Sequence, residues 1–177
     1  MAEYCFTAYA IEGNKEILER VADAINQSDG FMATVIKSLG VKINEDEFEY
    51  YGRAEWETGA RVEDRDGVSV LFFGQAYPWE HVDVIDEVLE QLGEPNPAVY
   101  FTANCMDEHF TNDEEGKYFP NRFWVTDDEG DDFGFASEEE AIAYLKKNFE
   151  ACGDGGSFAE LAEDLGLESG PIMILIR

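Results

Sequence analysis

Residues 68–76, VSVLFFGQA, are the most apolar β-like run in this 177-residue chain, and they follow directly on Arg65-Asp66-Gly67. A run that is apolar on both faces reads as a central strand. Asp-Gly supplies the positive φ angles of a tight turn, so the run folds back on residues 50–63, which carry Tyr50, Tyr51, Trp56 and Val62. This hairpin commits the chain to a sheet, and the other elements must pack on it.

Residues 4–11, YCFTAYAI, read as a strand closed by Gly13-Asn14. Asn14 then caps a helix whose Ile17, Leu18, Val21, Ala22 and Ile25 follow the 3.6-residue period. Residues 31–39 predict a second, short helix ending at Gly40. Residues 79–92 predict a third, stopped by Gly93 with Pro95 and Pro97 beyond. Strands are expected at 98–104, 122–126 and 133–135, and 106–117 reads as an acidic loop or hairpin arm. Ser137 with Glu140 and Ser157 with Glu160 have capping-box spacing and predict two more helices. The closing PIMILIR reads as a buried strand. The order β-α-α-β-β-α-β-β-β-α-α-β predicts an α+β fold, a mostly antiparallel sheet with helices packed on one face. It reads as a single domain over 1–177, with 137–177 at most a C-terminal ααβ subdomain.

Charge sets the function classes. There are 40 Asp+Glu against 12 Lys+Arg, a net charge of −28. Phosphate binding needs a basic face, so direct binding to nucleic acid or to anionic lipid is excluded. With 45% hydrophobic residues the chain still buries a real core and is no disordered acidic tail. Cys5, Cys105 and Cys152 are too few and too widely spaced for a disulfide framework. No basic segment leads into an apolar run at the start, and no apolar stretch approaches membrane-spanning length. These features predict a cytoplasmic protein with reduced thiols and no membrane partner.

The opening YCFTAYAIEG with its helix, Trp56-Glu57-Thr58 before the hairpin, and VLFFGQAYPW with the helix after it form a pattern over residues 4–125. The strand AVYFTANCMDEHF, with Gly116-Lys117-Tyr118 beyond it, continues that pattern. It resembles the YubB-type family of plasmid and phage proteins, although the family tends to have a Gly-Thr-Lys-Trp-like run where this chain has Glu57-Thr58-Gly59-Ala60. The resemblance implies a ferredoxin-like fold and a mobile-element origin, and it implies no activity.

Motifs for catalysis are sparse. An EF-hand needs Asp at position 1 and Glu at position 12 around its central glycine. Gly67 would place Val62 and Phe73 there, Gly130 Val125 and Ala136, and Gly116 Thr111 and Arg122, so all three fail. Cys105 and His109 are a close pair of zinc-ligand types without a second pair. His81, beside Glu80, has no nucleophile placed near it. Neither a P-loop nor a dinucleotide fingerprint is present, and no cofactor is implied.

What remains is the carboxylates. They cluster at Glu45, Asp46, Glu47 and Glu49, at Asp107 and Glu108, at Asp113, Glu114 and Glu115, and at Asp127, Asp128, Glu129, Asp131 and Asp132. Solubility of a small domain needs a net charge of only about 2–8. The sharper expectation is a non-enzymatic interaction protein. These clusters, with Tyr50, Tyr51, Trp79 or Trp124 as anchors, would bind and inhibit a basic nucleic-acid-handling protein by mimicking nucleic acid, as anti-restriction or anti-CRISPR proteins do. The alternatives are a small metal-dependent enzyme or binding module using 105–115, or an acidic domain whose charge serves solubility in salt. A homodimer would double the length of any charge array.

Overall fold

The computed structural model describes residues 5–28, 32–42, 55–77, 82–103, 108–127, 129–149 and 155–175. The chain divides into two compact units, Met1–Thr102 and Ala103–Arg177. The division lies N-terminal of the 137–177 segment that the sequence singles out.

The first unit runs β1 (Cys5–Gly13), α1 (Lys15–Gln27), α2 (Met32–Leu39), β2 (Glu55–Arg65), β3 (Val68–Tyr77), α3 (Val82–Gln91) and β4 (Val99–Ala103). Its strands lie in the order β2-β3-β1-β4. The β2–β3 turn is the expected one, with Asp66 at φ 51° and Gly67 at φ 84°. β3 is central, pairing antiparallel with both β1 and β2. Asn14 caps α1, its side-chain oxygen accepting from the Glu16 and Ile17 N–H groups. Leu18, Val21, Ala22 and Ile25 of α1 are buried, as their period requires.

β2 stands at the end of this order, and a side chain closes it. Its pairing with β3 slips between Thr58 and Arg61. At that irregularity the Asn26 amide donates to the Ala60 carbonyl at 2.8 Å, and the Ala60 N–H donates to Asn26 Oδ1 at 2.9 Å. One carboxamide thus stands in for a neighbouring strand. Asn26→Ala leaves a buried N–H and a buried C=O without their partner. It is expected to lower unfolding free energy by about 1–2 kcal/mol, measured by urea denaturation.

The second unit runs β5 (His109–Thr111), β6 (Phe123–Thr126), β7 (Asp132–Phe135), α4 (Glu138–Asn148), α5 (Phe158–Leu165) and β8 (Ser169–Ile174). Its strand order is β5-β8-β6-β7. Val125, Ala141, Leu145, Phe158, Leu161 and Ala162 form its core. The Ser157–Glu160 capping box is complete. At α4 the reach-back differs, since Glu140 accepts from the Ala136 N–H rather than from that of Ser137.

The ferredoxin-like, mostly antiparallel sheet with helices on one face is not what forms. Eight strands and five helices are present among the described residues, and the strand arrangement is mixed. β8 inserts between β5 and β6, parallel to the first and antiparallel to the second. Within 106–117, which reads as an acidic loop or hairpin arm, residues 109–111 form a strand whose parallel partner lies some sixty residues later, a pairing that no local periodicity discloses. The closing strand is also less buried than its composition suggests. Ile172 is buried, but Met173, Ile174 and Leu175 are each at least 40% exposed. No helix among the described residues is long and apolar enough to cross a membrane.

Candidate functional site

Among the described residues, exposed carboxylates gather on the β6–β7 turn. Asp127 builds this turn. Its Oδ1 accepts from the Glu129 and Asp131 N–H groups at 2.9 and 3.0 Å, and its own N–H donates to the Asp131 carbonyl at 3.0 Å. Gly130 takes φ 86°, which a side chain would resist. Glu129, Asp131 and Asp132 are left exposed on a locally ordered frame. Asp132 is oriented further, accepting from the Thr126 hydroxyl at 2.6 Å. Beside the turn runs a groove of about 410 Å³, lined by Thr126, Asp127, Glu129, Gly130, Gly166, Leu167 and Glu168. The backbone bond from Thr126 N–H to the Glu168 carbonyl brings Glu168 there, across a sequence distance that clustering cannot reveal.

Under the turn lies an aromatic ledge. The Tyr144 ring of α4 sits 5.0 Å from Phe133 and 5.1 Å from Phe135, with Phe149 at 6.4 Å. Burial, and then the charges of Asp127 and Asp131, push the Tyr144 phenol above its usual value of 10.0. A raised folded-state value means that Tyr144 adds stability fully below pH ~10 and loses it as pH climbs through the folded value. Asp127→Asn with Asp131→Asn keeps the turn acceptors but removes two charges. The phenol should then titrate at lower pH by ultraviolet absorbance, and an unchanged titration would refute the assignment. The alternation Phe133-Gly134-Phe135 is the sequence signal for this ledge, since alternate residues of a strand share a face.

The 111–122 loop uses its charges internally. Asp113 is 6% exposed. Its carboxylate accepts from the Lys117, Tyr118 and Phe119 N–H groups at 3.0, 2.6 and 2.8 Å. Arg122 donates to the carbonyls of Phe119, Asn121, Asp113 and Glu114. Asp113 therefore faces its own loop, while Glu108, Glu114 and Glu115 face solvent.

His109 is buried, stacked on Trp124 at 4.2 Å with 10° between the planes, and its Nε2 lies 3.6 Å from Asp132 Oδ2. Trp124, at 3% exposure, is a packing residue and no surface anchor. Gly170 leaves room for its indole, since a Cβ there would lie 3.2 Å from Nε1. Among the described residues, no three His, Cys, Asp or Glu side chains gather to hold a metal ion. Glu45, Asp46, Glu47, Glu49, Asp107 and Asp128 lie outside the described residues, as do Tyr50, Tyr51, Trp79, His81, Cys105 and Cys152. Comparison with protein-family models, curated proteins and solved structures finds no match.

Proposed function

We propose that this chain is a non-enzymatic interaction protein of the cytoplasm. It binds a basic, nucleic-acid-handling protein and inhibits it by offering carboxylates where that protein expects phosphates. The observation that carries this reading is the β6–β7 turn, where Asp127 is tied to the backbone and Glu129, Asp131 and Asp132 are left exposed. An ordered array loses less conformational freedom on binding than a flexible acidic tail does. The charge balance of the second unit supports the reading, with 19 carboxylates against 5 Lys and Arg over residues 103–177. Arg122 is held by four carbonyl oxygens rather than by those turn carboxylates. A mobile-element inhibitor of restriction or CRISPR type is the biological setting that fits such chemistry.

The test uses the whole protein as bait in nuclease-treated lysate, at low and moderate salt. Selective recovery of one nuclease or restriction component, competed away by added DNA, is the expected result. Retention of only a general background of basic proteins, with no competition by DNA, would overturn the reading and leave −28 as a property of solubility.

A further inference from the structure

The strands that end the two orders, β2 and β7, differ in ways that bear on recognition. β2 is closed at Ala60 by the Asn26 carboxamide. It also carries Arg61 and Arg65, both bonded to Glu63 and both over the Phe72 ring, so that carboxylate and that ring face are already taken by cations of the chain itself. β7 has the opposite character. The Asp127–Asp131 backbone bond and the Val125–Phe133 register make alternate residues face β6. The N–H and C=O groups of Asp132 and Gly134 consequently point away from the sheet, and both residues are exposed. The next outward donor, Ala136 N–H, is taken by Glu140. Among the described residues, two successive outward-facing positions, Asp132 and Gly134, are left open along this edge.

The two faces beside that edge differ chemically. Phe133 and Phe135 lie over Tyr144 on one face, all three half-buried, with Asp127 and Asp131 at the rim. Asp132 and Gly134 lie on the other face, where the Asn121 side chain covers Gly134 and the exposed Asp132 carboxylate is held by the Thr126 hydroxyl. A strand laid along β7 would place alternate side chains on the aromatic ledge and the others beside Asp132.

We propose that the edge of β7 receives an extended segment of the partner protein, alternating apolar residues with Lys or Arg, as an added strand. This rests on the reading of the chain as a binder of basic proteins and adds the surface and the mode. Main-chain hydrogen bonds set the register, the ledge holds the apolar side chains, and the turn carboxylates attract the cations. A polyanion or an acidic peptide would be rejected at the same edge.

The test titrates the full-length protein with a synthetic peptide of alternating valine and lysine. A second peptide of the same sequence is N-methylated at successive central amides, which blocks hydrogen bonding on both of its edges. The first peptide is expected to bind in a salt-sensitive way and to slow hydrogen exchange at the Asp132 and Gly134 amides. Methylation should weaken it about tenfold or more. Equal binding of both peptides with no protection at Asp132 and Gly134 overturns the added strand while leaving an acidic binding surface. Failure of both peptides to bind overturns the added strand, and together with a bait experiment that recovers no partner it overturns the underlying reading as well.

Discussion

Replacing Asp113 with alanine is expected to lower the stability of the second unit by about 3–5 kcal/mol. Three backbone N–H groups, those of Lys117, Tyr118 and Phe119, converge on this one buried carboxylate. Hydrogen bonds to a charged group contribute about 1.5–3 kcal/mol each, and losing the acceptor leaves the donors unsatisfied unless the loop opens to water. Opening is what limits the total, so the effect stays below three full contributions. Arg122 would lose its arrangement too, because it donates to the Asp113 and Glu114 carbonyls of the same loop. Asp113→Asn should do less damage, since it keeps one acceptor but turns an amide donor toward other donors. The measurement is urea denaturation with hydrogen exchange at 117–119, set against Glu114→Gln on the exposed side of the loop. If the two variants are equally stable, the carboxylate does not organise this loop.

The second large effect belongs to Leu145→Ala. Leu145 is fully buried, among Val125, Ala141, Phe158, Leu161 and Ala162. Truncation of such a leucine removes about 2–5 kcal/mol, the transfer free energy of the lost groups plus that of the cavity left behind. Alanines already occupy 141 and 162, so the small side chains around the void have little length with which to close it. The loss should register in the second unit. Amide exchange at Val125 and Leu161 should quicken, while Tyr9 and Leu71 of the first unit hold their protection. Equal acceleration in both units would mean that they unfold as a single cooperative body.

These effects lie partly inside and partly outside what the amino-acid order discloses. Asp66-Gly67, the α1 period and the Ser157–Glu160 box are local devices, in which the deciding atoms are a few residues apart. Each is legible, and each forms. β5 is not legible, because three residues carry no period and its partner is β8, far along the chain. The same limit governs the site. Asp113 and Glu114 are adjacent carboxylates with the same composition-level meaning, yet one binds its own backbone and the other faces solvent. Trp124 reads as an anchor in the chain and packs as a core residue once His109 stacks on it. Clustering of charge along a sequence marks where carboxylates are; which of their lone pairs are already occupied is decided by the turn.

The Asn26 carboxamide bears on how large an assembly can become. Fibre growth by strand addition requires every subunit to offer two edges, one to receive and one to extend. With Ala60 occupied from within the molecule and the β2 register broken beside it, this edge cannot extend a neighbour's sheet in regular register. Within the first unit, growth by regular strand addition at β2 is therefore interrupted at Ala60.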